Sequence, residues 1–154
     1  MNQIYRFGFL SLLGLSLMIF LVGCSLPRII ILTDPLTPEE HLNLGVAYEK
    51  KGDLDRAITE YRLAAKKLPL AYLHIGNAYF QKKEWVEAER CYEKAIEKDP
   101  KNADAHNNLA WLYYMKHENL DLAERLALKA IELNPSKEDI YKDTLERIRE
   151  LKKP

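Results

Sequence analysis

From residue 37 onward, apolar positions recur with a helical period rather than the alternation of a strand. Tyr141, Thr144, Leu145, Ile148 and Leu151 share one helical face, for example, while Lys, Glu and Arg fill the other. Breakers divide these stretches, and together they predict helices over about 38–51, 54–67, 70–82, 85–98, 103–116, 120–133 and 137–152. Thr37-Pro38-Glu39-Glu40 carries an N-cap, a first-turn proline and an acid placed to return the capping bond. Gly52-Asp53, Lys101-Asn102 and His117-Glu118-Asn119 read as turns. Pro69 ends one helix and can start the next, Asn134-Pro135 stops another, and Ser136 with Asp139 reads as the cap of the last.

The helices come in pairs, and the pairs repeat. Leu44-Gly45-Val46-Ala47-Tyr48, followed by Gly52, Ala57, Tyr61, Ala64 and Pro69, returns as Ile75-Gly76-Asn77-Ala78-Tyr79 with Ala88, Tyr92, Ala95 and Pro100. It returns again as Leu109-Ala110-Trp111-Leu112-Tyr113 with Ala123, Ala127, Ala130 and Pro135. Tyr48 to Tyr79 is a step of 31 and Tyr79 to Tyr113 of 34; the prolines step by 31 and 35. A period of about 34 residues built from two helices resembles the tetratricopeptide repeat. The resemblance implies an all-α helical-hairpin solenoid of three repeats, 38–69, 69–100 and 103–135, closed by a polar-backed capping helix in 136–154. Repeat 1 lacks the usual linker between Lys67 and Leu70, so a tighter turn is expected there.

Ahead of the repeats, Arg6 precedes an apolar run over residues 7–22, about 16 residues. A membrane-spanning helix needs roughly 20, so the run fits the core of a signal peptide better. Leu21-Val22-Gly23-Cys24 resembles the lipobox of bacterial lipoproteins. That resemblance implies a signal peptide over 1–23, lipid on Cys24, a tether over 24–36, and a site in the bacterial envelope; Ser25 points to the outer membrane, facing the periplasm. An uncleaved anchor helix and an ordinary secretory signal are the competing readings. Ile29-Ile30-Ile31-Leu32 are four apolar residues in the tether. They require cover from the first repeat, a membrane surface or a partner.

Within the repeats, Gly45, Gly76 and Ala110 fall where two helices meet, opposite Ala57, Ala88 and Ala123, with Tyr48, Tyr61, Tyr79, Tyr92 and Tyr113 beside them. These are packing positions. The family's inner face is lined by the first helix of each repeat, and the residues left over there are Leu42, Val46 and Glu49, then Leu73, Asn77, Phe80 and Gln81, then Asn107, Trp111 and Tyr114. Asn77, Phe80, Asn107, Trp111 and Tyr114 are the candidate partner contacts: aromatic side chains anchor interfaces, and an Asn amide can both donate to and accept from a peptide backbone. The competing reading packs Phe80, Trp111 and Tyr114 against neighbouring helices. The family's carboxylate clamp would require Lys and Asn where this chain has Leu42 and Val46, which excludes a clamp of that type.

Charge and reactive residues narrow the function. The 23 basic and 23 acidic residues balance, which disfavours nucleic acid, whose binding rests on cationic contacts to phosphate. Cys91 has no disulfide partner once Cys24 carries lipid, and its place beside Tyr92 suggests a half-buried packing residue. His41, His74, His106 and His117 show no metal-ligand spacing, and His41 and His106 occupy a packing position that is usually aromatic. No phosphate loop and no Ser–His arrangement is present. The expectation is a non-enzymatic, lipid-anchored interaction scaffold with no cofactor, metal or small-molecule substrate, binding a protein or peptide partner in its groove and helping to assemble an envelope, secretion or pilus complex. The alternatives are an accessory subunit of a cell-wall or C39-type peptidase system, suggested by Leu-Thr-Pro-Glu-Glu-His-Leu-Asn-Leu-Gly at 36–45, and a self-associating structural lipoprotein.

Overall fold

Thr37 opens the first helix with a reciprocal pair of bonds. Its hydroxyl accepts from the Glu40 N–H at 3.2 Å, and the Glu40 carboxylate accepts from the Thr37 N–H at 2.7 Å. The computed structural model describes residues 34–153. Cys24 and Ile29-Ile30-Ile31-Leu32 therefore lie outside the described residues. The helices are α1 Pro38–Lys50, α2 Leu54–Ala64, α3 Leu70–Gln81, α4 Trp85–Lys98, α5 Ala103–Lys116, α6 Leu120–Leu133 and α7 Glu138–Leu151. Among the described residues there is no strand.

Two departures from the sequence expectation have local causes. Helix α2 stops at Ala64 rather than near 67, and the next residues form a tight turn with Lys67 and Leu68 both donating to the Ala64 carbonyl, at 3.0 and 2.9 Å. Pro69 disfavours helical backbone in the residue before it, and without the missing linker the chain must turn early so that α3 can begin at Leu70. At the last helix, Ser136 is not the cap. It sits in a short 3₁₀ turn, Pro135–Lys137, and its hydroxyl bonds the Asn134 side chain at 2.6 Å instead. Proline at the first position of that turn fits its fixed φ.

Each hairpin turns through a left-handed residue at the same place in the repeat. These are Gly52 (φ 78°), Lys83 (φ 61°) and His117 (φ 55°). Only the first repeat has the glycine that such backbone favours.

Close approach of the paired helices is set by Gly45 and Gly76. A Cβ on either would lie 2.5 Å from the ring of Tyr61 or Tyr92 respectively. The third repeat resolves the same contact differently, with Ala110 and Ala127, both fully buried, in the corresponding places. Helices α1–α2, α3–α4 and α5–α6 thus form three hairpins stacked in order, and α7 packs on α6 and α5. Its buried face is Tyr141, Thr144, Leu145 and Ile148, as expected of a capping helix. Helix α3 reaches α5 directly, whereas no comparable contact joins α4 to α6 among the described residues. With the Gln81 side chain on α3 also donating to Glu49 on α1, the first helices of the hairpins form the inner side of the stack.

Bonds between repeats fix its register. Arg62 on α2 donates to the Tyr79 hydroxyl on α3 at 2.6 Å, and the Tyr113 hydroxyl on α5 donates to Glu89 on α4 at 2.9 Å. Lys137 and Tyr141 both donate to Asp104 on α5, tying down the cap. Burial pushes the Asp104 carboxyl up, but those two bonds together hold it below the usual carboxylate range.

Candidate inner-face cleft

The inner side carries a cleft of about 320 Å³ lined by Glu49, Asn77, Phe80, Gln81, Tyr92, Asn108 and Trp111. Helix geometry explains the set. Asn77 and Gln81 lie four apart on α3, Asn108 and Trp111 three apart on α5, so each pair shares a face. Tyr92 reaches the cleft floor from α4 because Gly76 leaves room for its ring.

A bonded chain of polar groups organises the cleft. The Asn77 Oδ1 accepts from the Tyr92 hydroxyl at 3.0 Å and from the Asn108 Nδ2 at 2.9 Å. This leaves the Asn77 Nδ2 and the Asn108 Oδ1 without a protein partner among the described residues, one a donor and the other an acceptor. At the other end, Glu49 accepts from the Tyr61 hydroxyl and from the Gln81 Nε2 at 2.6 Å. Burial, and then the bond to Glu49, push the Tyr61 hydroxyl far above its ordinary value. The His74 ring lies 5.1 Å from that of Tyr61, and burial lowers its pKa despite the opposing charge of Glu49.

The five expected contact residues separate here. Asn77, Phe80 and Trp111 line the cleft. Phe80 also packs edge-on against Trp85 at 5.0 Å, and the Arg147 guanidinium lies 5.9 Å over the Trp111 ring. Tyr114 is not part of the lining; it packs between Trp111, at 4.9 Å, and His117, at 6.5 Å. Asn107 lies outside the lining: it is 8 % exposed, its Oδ1 has no partner among the described residues, and the amide of the doublet that lines the cleft belongs to the half-buried Asn108. One residue on a helix is a rotation of about 100°. Aligning Gly76 with Ala110 sets Asn107 opposite Leu73, a buried core position, and Asn108 opposite His74, which was the available signal that Asn108 and not Asn107 lines the cleft.

The remaining candidates are structural. His41 is buried with its Nδ1 2.7 Å from Glu60, and His106 is buried with its Nε2 3.1 Å from the Pro100 carbonyl. Cys91 is buried, and burial pushes its thiol up against the opposing charges of Arg90 and Arg62. No group of His, Cys, Asp and Glu arranged to hold a metal occurs among the described residues. No helix among them is long and apolar enough to cross a membrane.

A second hollow, about 440 Å³, opens on the outer side between α2 and α4, over α3. It is lined by Arg62, Tyr72, Ile75, Tyr79, Arg90, Cys91 and Lys94. A larger surface crevice lies between the start of α6 and the end of α7, where Lys152 pairs with Asp121 and Glu124.

Family sequence profiles described as tetratricopeptide repeats match residues 38–71 and 103–137, and one described as a TPR repeat matches 76–116. The human protein O-mannosyl-transferase TMTC2 is 32 % identical over 101 residues, covering 62 % of this chain and 12 % of its own length. The chain thus spans about an eighth of that relative. Among solved structures, the first TPR of Spaghetti bound to the HSP90 peptide SRMEEVD superposes with a TM-score of 0.69 at 21 % identity, covering 77 % of this chain and 97 % of that one. The TPR2B domain of yeast Sti1 in complex with an Hsp70 peptide gives 0.68 at 21 % identity, with 73 % and 96 % covered. Three matched repeats, three stacked hairpins and the close Gly–Tyr contacts within the first two lead to one conclusion: the chain belongs to the tetratricopeptide-repeat family.

Proposed function

We propose that this protein is a non-enzymatic scaffold that holds an extended peptide segment of a partner in its inner-face cleft while a lipid on Cys24 keeps it at a bacterial envelope membrane. The observation that carries the peptide reading is the unpartnered pair in the cleft. The Asn77 Nδ2 and Asn108 Oδ1 belong to residues that line the same cleft as Phe80 and Trp111, and together they offer the donor and the acceptor that a peptide bond requires of a host. Solved relatives named as peptide complexes share the hairpin stack, which supports the same use of the inner face. The lipid anchor rests on Leu21-Val22-Gly23-Cys24 after the apolar run over 7–22. Two or more acyl chains hold a protein at a membrane far longer than one. The envelope site, and a role in assembling a larger complex there, follow from that anchor.

Two measurements test this. Metabolic labelling with a palmitate analogue should mark the wild type and spare Cys24→Ala, which should also leave the membrane fraction; an unlabelled wild type removes the anchor. Cross-linking of a peptide partner should fail in Trp111→Ala with helicity unchanged; a partner retained by that variant removes the cleft.

A further inference from the structure

Glu49 sets the chemistry of the cleft. It is the one charged residue in the lining, and both its bonds come from neutral donors, Tyr61 and Gln81. Other half-buried acids of the repeats have cations: Glu89 pairs with Lys116, and Glu124 with Arg149 and Lys152. Glu49 makes no ion pair among the described residues. His74, whose imidazole feels the charge of Glu49, is held toward its neutral form by burial. A half-buried carboxylate with no ion pair among the described residues leaves a negative potential at the Glu49 end of the cleft, beside the negative ring faces of Phe80 and Tyr92, whereas the Trp111 ring already has the Arg147 guanidinium over it at 5.9 Å.

We propose that the cleft selects a peptide segment bearing a lysine or arginine. This rests on the peptide-binding reading above. The cation of the segment meets Glu49, its stem lies along Phe80 and Trp111, and its backbone is held by the Asn77 Nδ2 and Asn108 Oδ1. Charge complementarity excludes an acidic segment, which would set carboxylate against carboxylate in a partly dehydrated space.

The test is selection of a random peptide library on the full chain held in detergent micelles, followed by titration of synthetic peptides. Selected peptides should share a Lys or Arg at one position. Replacing it with norleucine, which keeps the stem and removes the charge, should weaken binding at least about tenfold, and Glu should abolish it. Glu49→Gln should erase the preference, so that the charged peptide and its norleucine counterpart bind with the same affinity. The peptide substitutions need no altered protein, so a misfolded variant cannot mask the answer. Peptides that lose binding in Trp111→Ala but are indifferent to charge, or acidic, overturn the cationic preference and leave the cleft as the binding site. No selected peptide, or peptides unaffected by Trp111→Ala, overturn both.

Discussion

Helix α3 serves two surfaces of opposite character. Inward it offers Asn77, Phe80 and Gln81 to a cleft in whose lining Glu49 is the charged residue; outward it offers Tyr72, Ile75 and Tyr79 to a hollow ringed by Arg62, Arg90 and Lys94. The inner cleft holds unpartnered amide groups, while the outer hollow is walled largely by carbon, with Arg62 committed to Tyr79 and Lys94 to Glu97. The difference follows from the stacking. First helices approach on the inner side, so their polar groups meet across repeats and pair in chains; second helices diverge, so α2 and α4 leave a gap floored by α3. Two surfaces of opposite charge on one helix cannot take the same ligand.

The largest effect comes from breaking what both surfaces share. Gly76→Val should drive its side chain into Tyr92, whose hydroxyl holds Asn77. The loss should be about 1–3 kcal/mol or more by overpacking, read as a lower urea midpoint, and both hollows should change together. An unchanged midpoint would mean that the helices are not locked by that contact. Separating the surfaces is the next step. Trp111→Ala should cost about 2 kcal/mol of peptide affinity with stability little altered, while Arg90→Ala, on the outer side, should leave peptide affinity unchanged. Equal losses in titration would make the outer hollow part of the binding site.

The Asn107-Asn108 doublet sharpens the boundary between core and cleft. Asn107 stands where repeats 1 and 2 have Leu42 and Leu73, and its Oδ1 is buried without a partner among the described residues. Asn107→Leu should therefore stabilise the protein by about 1–3 kcal/mol, the cost of a buried unmade bond, with peptide binding retained. Asn108→Leu should reverse the pattern, sparing the urea midpoint and weakening binding. A binding loss in Asn107→Leu would return that residue to the cleft.

The same doublet marks where the sequence stopped being informative. Repeat period, breakers and small-residue positions determine hairpins, and α4, α5 and α6 fall where the pattern places them because Gly, Asn and Pro act within a few residues. The cleft depends on rotation about the helix axis, where a shift of one residue exchanges core for surface. Phe80 and Trp111 both line the cleft and pack, a dual role that no spacing reveals. Spacing places Glu49 on the inner face but not among the expected contacts, because its bonds to Tyr61 and Gln81 arise only when the helices pack.

A control on neither surface comes from the hairpin turn. Lys83 adopts φ 61° where repeat 1 has Gly52. Lys83→Gly should relieve that strain and raise stability by about 0.5–1 kcal/mol, with peptide affinity unchanged. A lower urea midpoint would mean that the Lys83 side chain stabilises the turn by more than its backbone costs.

The smallest effect expected is one of pH, and it belongs to the inner side. Burial lowers the pKa of His74 below its ordinary value of 6.5, against the opposing pull of Glu49. The unfolded chain therefore binds a proton at His74 that the folded chain resists as pH falls through the unfolded value. Stability rises with pH wherever the unfolded state binds more protons, so this contribution is present above about pH 6.5 and is lost on acidification toward the folded pKa. Urea midpoints from about pH 7.5 to about 5.5 should fall more steeply in the wild type than in His74→Gln, by a fraction of a kcal/mol. Equal slopes would show that the imidazole takes up its proton in the folded state as readily as in water. The positive charge would then sit beside Glu49 in the folded protein and supply the counter-charge that the cleft otherwise takes from its ligand.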